Sequence, residues 1–231
     1  MASEMPDTHQ QGQSGEVVGE AEALSRSSEL SEASMKRMTR RRRVRIRRRC
    51  LTPLQQGDLD GLCGVYSIVN AVRWLIPKLS NARAKKLFAQ LMQGVRRFDH
   101  APGAIAHAGI ERQQLLGLLD IARRFMRHDA DAGLVVGRVP PVDRRSWSTA
   151  TLWRVLDTRL SARCVAIIGI TGRHDHWTLA IAVSASQIRL FDCDGMQVLR
   201  RSQFARDRPM KSRVVIEPGD VIFISTGGPQ D

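Results

Sequence analysis

Cys63 stands in the stretch QQGDLDGLCGVYSIVNA, residues 55–71, flanked by glycines and at the start of an apolar run with helical spacing. A cysteine so placed has two chemistries open to it. It can be a small buried hydrophobe, or it can be a nucleophile if something stabilises its thiolate. A helix N-terminus and a neighbouring imidazolium are the usual means. Gly61 and Gly64 would let a substrate backbone approach the sulfur closely. Upstream, Gln55 or Gln56 could donate a side-chain N–H to a developing oxyanion, with Asp60 or backbone N–H groups sharing that task.

The nucleophile reading requires a base, and the chain has six histidines. His9 falls in a polar tail, His100 and His107 in a loop, His128 after a helix end and His174 in a turn. His176 alone opens a strongly patterned strand, where its ring can be held rigidly at the end of a sheet. The next strand ends at Asp192, and an antiparallel hairpin returns that carboxylate toward His176, where it could orient the imidazole. Asp194, on the following turn, is the second choice. His174, His176 and Cys193 could also hold a metal, but they lack a zinc-ligand spacing, so neither metal nor cofactor is expected.

These residues need elements to position them. Apolar spacing predicts helices over Cys63–Ile76, stopped by Pro77, then from Asn81 to about Phe98 with Ser80 as cap. Two more are predicted from Ile110 to about Arg127 and over Thr149–Leu160, the last capped by Ser148. The final third changes period: RCVAIIGI, HWTLAIAV, QIRLFDC, SRVVIE and GDVIFIS are β-branched runs separated by short turns. The expected fold class is α+β, a helical half followed by an antiparallel sheet. Trp74, Trp147 and Trp153 are expected to pack in or against the core, and Trp177 to buttress the sheet on the side opposite His176 while flanking the substrate approach. Cys164 should alternate into a strand core, and Cys193 lies at a turn.

Composition bounds the remainder. The net charge of +13 is unevenly placed: residues 1–35 carry seven acidic residues against one arginine, whereas residues 36–49 carry ten basic residues and no acid. Residues 1–34 are too polar to offset their ordering entropy and are expected to be a disordered acidic tail. Residues 35–49 form a basic arm in which Arg40, Arg41, Arg42, Arg43, Arg45, Arg47, Arg48 and Arg49 could bind nucleic acid, an anionic membrane surface or an acidic partner, or remain a solvated arm. Residues 50–231 have the composition of one globular domain. Four cysteines without a CxxC pair or dense framework point to a reducing, cytoplasmic compartment, with export through a non-classical N-terminal signal as the alternative. No apolar run is long enough for a transmembrane segment.

The Gln-rich lead, DGLCG at a helix start, HW at a strand start and an Asp ending the next strand together resemble the papain-like cysteine peptidase superfamily in the order Cys, His, Asp. HWTLAIAVSASQIRLFDCDG is similar to the His/Asp hairpin of ubiquitin-like-protein proteases, whereas the Cys-first order matches papain, the C39-like bacteriocin-processing peptidases and the ovarian-tumour deubiquitinases. The glutamine spacing departs from the papain type, Gln56 lying seven residues before Cys63 and Gln55 eight. The resemblance implies a papain-like fold with a Cys-bearing central helix. It also implies a catalytic triad of Cys63, His176 and Asp192 with Gln56 or Gln55 at the oxyanion, acting on a peptide or isopeptide bond of a protein substrate, with a ubiquitin-like tail as one candidate. The same triad runs acyl transfer and glutamine deamidation, which share the first step. A non-catalytic papain-like module with an anion-binding arm is the alternative outside enzymology.

Overall fold

The structure, a computed structural model, describes residues 51–57, 61–98, 109–129, 133–140, 145–204 and 213–227. The acidic tail, the basic arm, Cys50, His9, His100 and His107 lie outside the described residues, as does most of the DHAPGAIAHAG loop. The described residues all belong to one unit running from Leu51.

Helix α1, Cys63–Leu75, forms where the spacing places it: Val65, Ile68, Val69, Val72 and Leu75 recur along one face and are buried. It ends one residue early: the Ile76 N–H still makes the last helical bond, to the Val72 carbonyl at 2.8 Å, but Ile76 itself leaves helical dihedrals (φ −121°, ψ 78°), as a residue preceding proline does. Helix α2, Asn81–Phe98, has its predicted bounds, and Ser80 Oγ accepts the Arg83 N–H at 3.3 Å. Helix α3, Arg112–Asp129, starts two residues later than expected: Gly109 takes a left-handed φ of 82° and the Glu111 N–H is held by Gln114 Oε1 at 2.8 Å. Helix α4, Thr149–Arg159, begins under Ser148, whose Oγ accepts the Thr151 N–H at 3.1 Å.

The strands are β1 Gly133–Arg138, β2 Cys164–Gly172, β3 His176–Val183, β4 Gln187–Leu190, β5 Val198–Arg200, β6 Val214–Val215 and β7 Val221–Gly227. Among the described residues they form an antiparallel sheet in the order β1-β7-β2-β3-β4-β5, with β6 added to β2. The fold is α+β with an antiparallel sheet, but the division into helices first and strands last is corrected. Strand β1 precedes α4 and pairs with β7, so Gly137 and Arg138 of the expected GRVPPVDRRSW loop lie in the sheet.

Both faces of the sheet are covered. Val165, Ile167, Leu179, Ile181, Ile222 and Ile224 pack with α1, α2 and α3, and their alternating neighbours Ile168, Ala180, Val221 and Phe223 pack with Leu152, Trp153 and Leu156 of α4. Two-sided burial explains why these strands read as continuous apolar runs. Each fully buried Val, Ile or Leu stabilises the fold by roughly 1.5–3 kcal/mol. Cys164, expected inside this core, is only half-buried, since it starts β2 at the rim of the sheet. Among the described residues no helix is long and apolar enough to cross a membrane.

Candidate active site

Helix α1 packs against β2, β3 and β7 on one side and α2 and α3 on the other, which fixes its first residue against the start of β3. Cys63 is 7% exposed. The Trp177 N–H points at Cys63 Sγ at 3.4 Å, and one helical turn along, Ser67 Oγ donates to the Trp177 carbonyl at 2.9 Å. Two positions of α1 thus hold the N–H and the carbonyl of one residue of β3.

Trp177 is itself immobilised. Its indole N–H donates to the Ile110 carbonyl at 2.6 Å, and its ring lies over Gly169, the residue paired with it on β2. A Cβ at Gly169 would meet that ring at 2.9 Å, so the close approach requires glycine. Trp177 therefore faces the three-helix layer, as strand alternation predicts, and buttresses the strand that carries His176.

His176 Nε2 and Asp192 Oδ1 are 2.7 Å apart, with both side chains almost wholly out of solvent. Sheet register explains the meeting. Ala180 pairs with Leu190, and the Phe191 N–H still reaches the Leu179 carbonyl at 2.9 Å. Counting on by two sets Asp192 beside Thr178, with His176 as the next residue on that face. The expectation that Asp192 ends the strand is corrected: regular pairing stops at Leu190. Beyond it, Asp192 Oδ2 accepts the backbone N–H groups of Asp194 at 2.8 Å and Met196 at 3.1 Å, closing a turn through Gly195 with φ 81°. Asp194, the alternative acid, is exposed and serves this turn through its backbone.

The electrostatics follow from burial and pairing. Burial by itself would lower the His176 pKa, but the Asp192 hydrogen bond, contacts with the Cys193 and Cys63 thiols and the Asp192 charge outweigh it and raise the value to about 12. Burial would raise Asp192, yet its bond to His176, aided by Thr178, holds the carboxyl below the ordinary value of 3.8. The Thr178 hydroxyl is fully buried and makes no hydrogen bond of ordinary geometry, so its part is a short-range polar contact and the His176 bond is the main cause. The pair sits as imidazolium and carboxylate. With Nε2 committed to Asp192, Nδ1 is the nitrogen left to exchange a proton with a thiol.

The glutamines do different things. Gln55 Nε2 donates to the Asp192 carbonyl at 3.4 Å, which ties it to the acid's loop. Gln56 is bonded to Cys193 twice: its N–H donates to the Cys193 carbonyl at 3.0 Å, and its Oε1 accepts from Cys193 Sγ at 3.3 Å. Gly64, expected at a point of substrate approach, is buried where a Cβ would meet Leu115 at 3.2 Å and Ile110 at 3.4 Å, so it packs on the start of α3; Gly61 is half-buried. His174 and His128 are exposed, and His174 is not among the metal-ligating atoms that converge.

Cys193 entered the sequence reading only as a turn residue and as a metal-ligand alternative with His174 and His176; the structure brings it to His176 and Asp192 instead. Its thiol, His176 and Asp192 bring ligand atoms within 4.8 Å of one another. Nitrogen, oxygen and sulfur donors could hold a soft metal. Here, however, both Asp192 oxygens and the Cys193 thiol already have hydrogen-bond partners within the protein. Its position directly after Asp192 was the available signal: an acid at the end of a buried hairpin sends its neighbour to the opposite face, here the one covered by α1. No protein-family model, curated protein or solved structure matches this chain, so the papain-like resemblance rests on the active-site strings alone.

Proposed function

We propose that the chain is a cysteine peptidase of papain-like type, with Cys63 as nucleophile, His176 as acid and base and Asp192 as the group that orients the imidazole. The observation that carries this reading is the buried 2.7 Å His176–Asp192 bond on an imidazole that also contacts the Cys63 thiol at a helix start. The Cys63 thiolate attacks the carbonyl carbon of an amide, forming a C–S bond, and the C=O π pair moves to oxygen. His176 gives its Nδ1 proton to the leaving amine, and the neutral imidazole then takes a proton from the water that resolves the thioester. Asp192, hydrogen-bonded at Nε2, keeps the ring in the productive tautomer and stabilises its charged form. The Cys63 backbone N–H and Gln56 supply the oxyanion donors in this reading; Gln55 is engaged with the Asp192 loop.

A peptide or isopeptide bond at a glycine-ended, ubiquitin-like tail is the candidate substrate, from the similarity of HWTLAIAVSASQIRLFDCDG to the His/Asp hairpin of ubiquitin-like-protein proteases. Cys63 and Cys193 are thiols in this fold, the state a reducing cytoplasmic compartment maintains. The test is alkylation of Cys63 by iodoacetamide, followed on the peptide that carries it, together with cleavage of a panel of glycine-ended tails. Cys63→Ala abolishes cleavage and labelling at that site, and His176→Ala lowers the labelling rate at neutral pH by about 10²-fold or more, as expected for loss of a base partner. Labelling indifferent to His176→Ala overturns the assignment. Product identity separates hydrolysis from transfer and from glutamine deamidation.

A further inference from the structure

Cys193 carries a buried thiol that the mechanism above does not use. Its place relative to Cys63 follows from the sheet. The Phe191 N–H bonds the Leu179 carbonyl at 2.9 Å, so Cys193, two residues on, comes opposite Trp177, on the edge of β3 that β4 no longer pairs. Helix α1 enters at that same edge, where the Trp177 N–H meets Cys63 Sγ at 3.4 Å. Both sulfurs therefore approach one residue of β3, and both belong to the core between the sheet and α1. The ring of His176, the residue before Trp177, touches both thiols.

We propose that Cys193 is the resolving thiol of a reversible oxidation at Cys63, the two forming a disulfide when the site meets hydrogen peroxide. The inference rests on the reading of Cys63 as nucleophile. Cys63 is 7% exposed and Cys193 1%, so peroxide meets Cys63 first. The Cys63 thiolate attacks one peroxide oxygen, an S–O bond forms, the O–O bond breaks, and the departing hydroxide takes the proton of the His176 imidazolium to leave as water. His176, now neutral, accepts the Cys193 proton. The Cys193 sulfur then bonds to Cys63 Sγ, the S–O bond breaks, and the second hydroxide takes the proton back from His176. Two thiol sulfurs are oxidised by one electron each, and one peroxide is reduced to two waters. The step gives up the Cys193 thiol's bond to Gln56 Oε1 at 3.3 Å. It holds Cys63 in a form that a thiol reductant restores, short of the sulfinic and sulfonic acids that it does not.

The test treats the full chain with excess hydrogen peroxide, removes the peroxide, and maps its peptides without reductant. A second portion receives dithiothreitol and then iodoacetamide, and each variant is compared with its own untreated sample. The wild type is expected to yield a peptide pair joining Cys63 to Cys193, and dithiothreitol returns Cys63 alkylation to within about 2-fold of the untreated level. In Cys193→Ser, which keeps an O–H donor for Gln56, Cys63 passes to the sulfinic and sulfonic acids, and recovery falls at least about 10-fold short. Cys193→Ala gives the same result and serves as the second variant if serine impairs folding. Absence of the joined pair in a wild type whose Cys63 alkylation depends on His176, a disulfide joining Cys63 to Cys50 or Cys164 instead, or wild-type recovery in Cys193→Ser overturns this proposal and leaves the nucleophile reading standing. Alkylation of Cys63 indifferent to His176→Ala overturns the underlying reading.

Discussion

Asp192 and His176 shift in opposite directions because each supplies the charge the other lacks, and the signs set a pH window. Asp192 has its folded pKa depressed, so its contribution is present above 3.8 and is lost as pH falls through the lower folded value. His176 has its folded pKa raised, so its contribution is complete below 6.5 and is lost as pH rises toward about 12. Both contributions are present together between 3.8 and 6.5. Asp192→Asn should lower unfolding free energy by about 2 kcal/mol in that window, the scale of a hydrogen bond to a charged group, with the deficit shrinking on either side. Denaturant titrations at a series of pH values check this, and a pH-independent deficit contradicts it. In the same variant burial is no longer opposed by a carboxylate, so His176 loses its proton at lower pH. The plateau of Cys63 alkylation should then shorten on its alkaline side. The candidacy of Cys63, His176 and Asp192 was legible at this scale because their residue types and flanking strings are distinctive. The placement of Cys193 was only indirectly legible, through its position next to Asp192, because a cysteine on a turn has no motif of its own.

Among elements, α1 does more than present Cys63. Its buried Asn70 accepts the Leu54 N–H at 2.8 Å and donates to the Leu54 carbonyl at 3.1 Å, imitating a strand partner for the extended lead that carries Gln55 and Gln56. Asn70→Ala leaves both backbone groups of Leu54 without these partners and should cost about 2–3 kcal/mol, read from the denaturant midpoint. Arg73→Ala, which removes one exposed bond to the Thr52 carbonyl, should cost about 0.5 kcal/mol or less. Comparable losses from both would refute the clamp. Helix α2 was legible to the residue because its apolar face, cap and length all agree. Strands β1 and β5 were not: β5 has three residues, and β1 carries the exposed Val135 and pairs with β7 at the far end of the chain. Three residues are too few to show a period, the six of β1 bury without a clean alternation, and the partners of both strands are set by tertiary pairing.

Over the whole molecule, charge and fold are carried by different stretches of sequence. The ten basic residues between 36 and 49 precede the unit that begins at Leu51. Deleting residues 1–49 is expected to leave Cys63 alkylation and the thermal transition unchanged while retention on heparin shifts to lower salt, since charge attraction is screened by ions. An altered alkylation rate would tie the arm to the site instead. By itself the sequence determined the α+β composition, the four helices, most of the strands, and the candidacy of Cys63, His176 and Asp192. These are local properties, written in periodicity, caps and motif strings. Only the tertiary structure decided that α4 covers the second face of the sheet and that β7 inserts between β1 and β2. It alone turned Gln56 toward Cys193 and joined His176 to Asp192 at 2.7 Å. Those outcomes depend on strand register and on packing between residues up to 137 apart, which no local pattern encodes.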